Sequence, residues 1–174
     1  MAIPNLPETP LSRRIDPLLS AIGRGASWLW LLLLIIIVGN VFMRHVFGEG
    51  RIEFEEIQWH IYSIGFLLGL SYAFQADAHI RVDVVSERLP VRVRAWLELY
   101  GIILGLLPFL FLILWFSVPF VQQSWNMSEV SQAPGGLPYR WMMKAILPLG
   151  FALLALAALS RLSRVWLFLF GDRT

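Results

Sequence analysis

Four long apolar runs dominate the chain, and each is close to the length that a helix needs to cross a lipid bilayer. About 20 apolar residues suffice for a helix to span the hydrocarbon layer. The runs place the predicted spans at residues 27–43, 56–74, 96–120 and 141–159. Pro108 and Pro148 lie inside the last two, where neighbouring helices can satisfy the freed carbonyl groups. The sequence therefore predicts an all-α membrane protein in which residues 1–174 form one domain of four transmembrane helices.

The composition excludes several other classes of protein. Of the 174 residues, 57% are hydrophobic and only 15% are charged, whereas about a quarter are charged in an average soluble domain. A soluble bundle would have to hide four nearly uncharged segments in a core too small to hold them. The absence of cysteine excludes disulfides, thiolate metal sites and cysteine nucleophiles. The net charge of +2 gives no indication of nucleic-acid binding.

The basic residues predict the orientation of the helices. On one side, three precede the first run, four lie between the second and third, and three follow the fourth: Arg13, Arg14, Arg24, Arg81, Arg88, Arg92, Arg94, Arg161, Arg164 and Arg173. The opposite side has four: Arg44, Arg51, Arg140 and Lys144. Because basic residues accumulate on the cytoplasmic side of a membrane protein, both termini are predicted to be cytoplasmic.

A short amphipathic helix in the membrane interface is predicted over residues 11–25. Asp16 followed by Pro17 is typical of a helix N-cap and first helical residue. The following residues separate apolar and polar side chains onto two faces, as in a helix that lies flat on a membrane. Gly23 and Gly25 would allow the chain to bend into the first span.

A second interfacial segment is predicted over residues 78–94, within the polar block between the second and third spans. The alternation of apolar and charged residues from Ile80 to Val84 resembles a strand. An unpaired strand edge at a membrane surface would leave backbone groups without partners, so a short helix is favoured. Pro90 suits the first turn of the next helix.

The spans contain no recognisable catalytic or transport motif, and the chain is predicted not to be an enzyme. Glu56, Glu98 and Lys144 fall within about one turn of a span end, where a long side chain can extend to the interface. No catalytic, substrate-binding or metal-binding residue and no cofactor is predicted. Four tryptophans near the predicted span ends are interpreted as membrane-interface anchors: Trp28, Trp59, Trp96 and Trp141.

Two histidines leave one alternative open. His45 follows the first span and His60 lies one turn into the second, so both could be at a similar depth. A pair of histidines could ligate haem, as in the membrane anchor subunit of a redox complex. His79 lies on the opposite side and could not join them.

Three segments resemble the small membrane subunit of tripartite ATP-independent periplasmic (TRAP) transporters, the DctQ-like family. They are "NVFMRHVFG" from Asn40, "EEIQWHIYSIGFLLGLSYAF" from Glu55, and "DAHIRVDVV" from Asp77, followed by "LP" at Leu89. The positions that match the family pattern are Asn40, Arg44, Glu55 or Glu56, Gly69, His79, Val82, Asp83, Leu89 and Pro90. Gln75 departs from it, since relatives often carry a basic residue there.

The resemblance implies a subunit of a sodium-driven importer of organic acids in the bacterial inner membrane. Its partners would be a large DctM-like permease subunit, a periplasmic substrate-binding protein and membrane lipids. The substrate and sodium sites would belong to the large subunit, whose scaffold the small subunit would stabilise. The residues expected to hold structure or subunit contacts are Asn40, Arg44, Glu55, Glu56, His79, Arg81 and Asp83.

Overall fold

The computed structural model describes residues 6–48, 50–78 and 89–171. Its helices are α1 (Pro10–Phe47), α2 (Ile52–Gln75), α3 (Val91–Tyr100), α4 (Leu107–Asn126) and α5 (Arg140–Phe170), with a π-helix at Gly101–Leu106 between α3 and α4. The described part of the chain is therefore helical, which confirms the predicted class. Helix α3 begins directly after Pro90, as predicted, whereas the rest of the second interfacial segment lies outside the described residues.

The predicted number of four spans is corrected by the structure. Within the described ranges, three helical segments are long and apolar enough to cross a membrane: Pro10–Phe47, Val91–Asn126 and Arg140–Phe170. The predicted span 56–74 does form a helix, since it lies within the 24 residues of α2, but it is not among the three. Polar side chains such as Gln58, His60 and Ser63 make this helix less apolar than its neighbours.

The predicted interfacial helix at 11–25 is not a separate element. Helix α1 runs without interruption over 38 residues, and Pro17 lies inside it. Its N-cap is Thr9 and not Asp16: the Thr9 hydroxyl accepts a hydrogen bond from the Ser12 amide, and the Ser12 hydroxyl accepts one from the Thr9 amide. This reciprocal arrangement satisfies two backbone donors at the helix start and fixes the first turn seven residues earlier than predicted.

Gly23 has a packing role and is not a bend. A side chain at this position would collide with Cβ and the ring of Tyr72 on α2. The hydrogen atom of glycine lets the Tyr72 ring lie directly on the backbone of α1. Close approach of this kind, through small residues, is a common way for membrane helices to pack.

Helices α1 and α2 run antiparallel. Gly23 faces Tyr72, and Gly65 faces the Trp30 ring, which a Cβ atom at Gly65 would meet at 3.5 Å. The Ser20 hydroxyl donates to the side-chain carbonyl of Gln75 at 3.1 Å. Since residue numbers rise on one helix as they fall on the other, the two helices lie side by side over most of α2.

Helix α5 runs parallel to α2. Gly150 of α5 packs against Leu67, and Arg161 lies 3.6 Å from Asp77 just after the end of α2. Helix α4 runs antiparallel to α5, because Phe109 lies opposite Phe151 at 6.1 Å and Trp125 opposite Trp141 at 4.4 Å between ring centroids. Helix α2 is therefore held between α1 and α5.

The bundle has two ends that differ in the parts of the chain they hold. At one end, Thr9 and Ser163 share a hydrogen bond of 2.8 Å, so the first described residues lie against the last helix. We call this the terminal end. The opposite end holds the connection between α4 and α5, residues 127–139, and we call it the loop end.

The π-helix lies just before Pro108, within the helical segment Val91–Asn126. Proline has no N–H group, and its ring collides with the carbonyl group four residues earlier in a regular α-helix. Here the Leu107 amide bonds to Ile102, five residues back, which is the wider turn of a π-helix. The helical path from Val91 to Asn126 is thereby kept continuous through the proline.

We expect Gly23→Ala to lower the thermal unfolding temperature of the full chain in detergent. The added methyl meets Tyr72, and overpacking of this kind costs about 1–3 kcal/mol. Gly25→Ala is the matched control, because a Cβ at Gly25 meets nothing within 4 Å. It should leave stability unchanged or raise it by up to about 1 kcal/mol through helix propensity. Equal effects of both changes would contradict the packing role of Gly23.

Polar clusters at the two ends of the bundle

A buried arginine lies at the centre of the terminal end. Arg161 is only 8% exposed. Its guanidinium donates to both carboxylate oxygens of Glu98, from Nε at 2.5 Å and from an Nη atom at 3.3 Å. A second carboxylate, Asp77, lies 3.6 Å away. The three side chains are nearly shielded from solvent, and they join the end of α2 to α3 and α5.

A second group of contacts ties α1 to the same helix. The Ser160 hydroxyl donates to Asp16 at 2.6 Å, and Arg164 lies 3.6 Å from the other oxygen of that carboxylate. Arg164 also donates to the backbone carbonyl of Leu6 at 3.3 Å. Asp16 therefore caps no helix but anchors α1 to α5.

Because Arg161, Glu98 and Asp77 are buried together, the loss of any one of them should destabilise the protein. Taking a charge out of water costs several kcal/mol, and this cost is offset only if the partners are close and hydrogen-bonded. The bidentate geometry of Arg161 with Glu98 meets that condition. Removing the arginine would leave two acidic groups in a shielded place.

The loop end is held by a glutamate of α2. The Glu56 carboxylate accepts hydrogen bonds from the Ser131 hydroxyl and, at 2.6 Å, from the Leu137 amide. These contacts cross from the first turns of α2 to the loop between α4 and α5. Helix α2 is thus attached to its neighbours at both of its ends.

Glu129 closes the same loop onto α5. Its carboxylate accepts from Lys144 at 2.5 Å and lies 3.7 Å from Arg140. The hydrogen bond from Lys144 is the main cause that holds the pKa of Glu129 below its usual value of 4.5. The carboxylate is therefore charged at neutral pH, and its stabilising contribution is lost only as the pH falls through that lowered pKa.

Arg44, Glu55 and Glu56 were all expected to hold structure or subunit contacts, and the structure gives them different surroundings. Among the described residues, Arg44 forms no ion pair with Glu55 or Glu56, because Glu56 bonds to the loop instead. Arg44 and Glu55 are exposed, and Asn40 is half-buried on α1.

The remaining predicted contact residues lie outside the described part of the chain. They are His79, Arg81 and Asp83.

Three of the four predicted anchor tryptophans lie near an end of the bundle. Trp59 is 69% exposed near the loop end, and Trp141 meets Trp125 there at 4.4 Å. Trp96 packs on Phe170 at 5.5 Å at the terminal end. Trp28 differs. It lies on α1 between Gly23, which faces Tyr72, and Trp30, which faces Gly65, so it is level with the central turns of α2. Their role as membrane anchors stays a prediction.

The histidine positions do not support the haem alternative. Trp30 faces Gly65 across the antiparallel pair, so His60 is level with Ile35 of α1. His45 is ten residues further along α1, a separation of about 15 Å. In addition, His60 Nδ1 is within hydrogen-bond distance, 2.6 Å, of the Glu56 carbonyl in its own helix.

Sequence reasoning missed the cluster around Arg161. That residue was placed beyond the fourth span and counted only as a cytoplasmic charge. A signal was present: "SRLSR" from Ser160 repeats serine and arginine at a spacing of three, which puts like residues on one helix face. The apolar run resumes afterwards to Phe170, which shows that the helix continues through these charges.

These features define a multi-pass helical membrane protein whose helices are tied together by polar contacts at both ends. Comparison with protein families then gives a closer assignment. The model of the tripartite ATP-independent periplasmic transporters, DctQ component, matches residues 33–168. The match covers most of the chain, which therefore belongs to the DctQ family of transporter components. No curated protein matches the sequence.

We expect Arg161→Leu to destabilise the chain strongly. Breaking a buried ion pair from one side costs about 3–5 kcal/mol, because the partner charges remain buried. The double variant Arg161→Leu, Glu98→Leu should recover part of this loss. Arg13→Leu is the control, since its partner Glu8 and Arg13 itself are both about 70% exposed, and it should cost about 0–1 kcal/mol. Thermal unfolding in detergent measures all three; a loss for Arg161→Leu no larger than the control's would contradict the buried role.

Proposed function

We propose that the chain stabilises the scaffold of a large DctM-like permease subunit and carries no substrate itself. The complete transporter would import an organic acid with sodium, after capture by a periplasmic binding protein. The proposal rests on membership of the DctQ family, which is a component of such three-part transporters, and on the way the polar groups of this chain are used.

The observation that carries the proposal is the attachment of helices at both ends of the bundle. Arg161 joins α2, α3 and α5 at the terminal end, and Glu56 joins α2 to the loop at the other. A bundle fixed in this way favours a static support over a moving carrier. Its outer surface is suited to apolar surroundings, because α4 exposes large apolar side chains along its length: Phe109, Phe111, Leu112, Trp115 and Phe116.

We propose further that the terminal end faces the cytoplasm of a bacterial cell, with the chain in the inner membrane. Most of the basic residues belong to this end and its flanking segments, and basic residues favour the cytoplasmic side. In this arrangement α2 crosses the bilayer with the three more apolar segments. Support comes from its packing, since neighbours that cover a helix relax the need for an apolar surface.

Cysteine labelling would test the orientation. The natural sequence has no cysteine, so an introduced one is the only thiol. Ser128→Cys at the loop end should react with a membrane-impermeant maleimide added to intact spheroplasts, and Leu11→Cys at the terminal end should react only after lysis. Both side chains are exposed, so accessibility within the protein is matched. The reverse pattern would overturn the orientation, and labelling of both would place the two ends on one side.

Uptake by the reconstituted small–large complex would test the supporting role. Arg44→Ala should lower the yield of complex and the transport rate by the same factor, because this exposed side chain is free to contact a partner. The substrate concentration for half-maximal uptake should stay within about twofold of the natural protein, since a uniform assembly defect does not alter binding.

Arg13→Ala provides the control, because it removes another exposed arginine, at the other end of the bundle. It should leave assembly and uptake unchanged. A several-fold shift in half-saturation for Arg44→Ala at normal assembly would place that residue in the transport path. Uptake by this chain alone would contradict the supporting role altogether.

A further inference from the structure

Two neighbouring clefts at the loop end form one amphipathic groove. The upper cleft, of about 410 Å³, lies between α2 and the loop and is lined in part by Glu55 and Arg140. The lower one, of about 420 Å³, lies between α1 and α2 and is lined in part by Leu33 and Tyr62. Trp59 and Met143 line both, so the two clefts adjoin at these side chains. We call the whole the loop-end groove.

The chemistry of the groove changes with depth. Glu55, Gln58 and Tyr62 line it at successive turns of α2, a descent of about 10 Å from the first to the last. The first is charged, the second is an amide and the third is aromatic. At the depth of the amide and below it, the opposite wall is formed by the apolar side chains of Ile37 and Leu33 on α1.

A hydrogen-bond donor, the side-chain amide of Gln58, lies midway down the groove. The Nε2 atom of Gln58 is shielded from solvent and has no hydrogen-bond partner among the described residues. A shielded donor without an acceptor is destabilising, because it has lost its hydrogen bonds to water and gained none in return. An occupant with a carbonyl oxygen at this depth would satisfy it.

The mouth of the groove presents one charge of each sign. Glu55 is exposed and has no ion-pair partner in the described part of the chain. Arg140 is 41% exposed and its contact with Glu129, at 3.7 Å, is too long for a hydrogen bond. Glu56 also lines the cleft, but its carboxylate is occupied by the loop. The open pair suits a ligand that carries both an ammonium and a phosphate.

We propose that the loop-end groove binds a phospholipid with a primary-amine zwitterionic headgroup, such as phosphatidylethanolamine. Glu55 accepts from the ammonium, Arg140 donates to the phosphate, and Gln58 donates to an ester carbonyl. One acyl chain follows the apolar walls at Leu33 and Tyr62. This site concerns the chain on its own and does not rest on the proposed supporting function.

Native mass spectrometry of the full chain in mild detergent would test the proposal. The purified protein is titrated with phosphatidylethanolamine and with phosphatidylglycerol of the same acyl chains. The first bound phosphatidylethanolamine should be held about tenfold more tightly, because phosphatidylglycerol has no ammonium for Glu55. Glu55→Gln should abolish this preference by weakening phosphatidylethanolamine alone.

Two further variants distinguish lipid that is bound in the groove from lipid that only coats the protein surface. Gln58→Leu removes the donor at nearly constant volume and should weaken both lipids by a similar factor of about threefold to tenfold. Glu53→Gln is the control, because Glu53 is an exposed glutamate in the first turn of α2, as Glu55 is, but does not line the groove. It should change neither affinity.

Three results would overturn the proposal. Equal affinity for the two lipids, unaltered by Glu55→Gln, would show lipid that only coats the surface. Tighter binding of phosphatidylglycerol would assign the mouth to an anionic headgroup. Lipid held by the isolated chain but lost from a small–large complex would assign the groove to a helix of the partner.

Discussion

The mutual placement of the helices depends on one buried cation. Arg161 lies where the last helix meets α3 and the end of α2, and its two acidic partners, Glu98 and Asp77, come from different parts of the sequence. A charge removed from water must have its partners at fixed distances, because their attraction offsets its lost hydration. That requirement fixes the position of α5 along the bundle. The neighbouring contact of Asp16 with Ser160 fixes α1 against it.

The two ends of the bundle use different chemistry for the same purpose. At the terminal end, side chains of opposite charge meet in a shielded place. At the loop end, Glu56 accepts from a hydroxyl and a backbone amide, and Glu129 meets more exposed cations. Loop residues have backbone donors that no helix uses, so a carboxylate can hold a loop without a cationic partner. A bundle held at both ends suits the supporting role proposed above for the chain.

Apolar run length and proline chemistry predicted where the long helices lie and that α3 begins near Pro90, but not that α1 is a single helix from Pro10 to Phe47. They were insufficient for the contacts between helices, since a single sequence does not reveal which residues meet across the bundle. Gly23 was interpreted as a bend, although the Tyr72 ring that occupies its surface is distant in sequence. Asp16 was interpreted as a cap for the same reason. Glu56 makes its contacts with the loop and not with Arg44.

The unbroken course of α1 makes this protein responsive to the thickness of its membrane. A helix of 38 residues is about 57 Å long, nearly twice the hydrocarbon layer of roughly 30 Å. The apolar run at residues 27–43 accounts for only about 25 Å of this length, so the excess is the polar N-terminal part, which projects beyond the hydrocarbon layer. The tilt of the apolar run adjusts to the thickness of that layer. Because Asp16 and Thr9 attach the first turns of α1 to α5, a change in tilt is transmitted to the last helix. Bilayers of different thickness should therefore select different inclinations of the whole bundle.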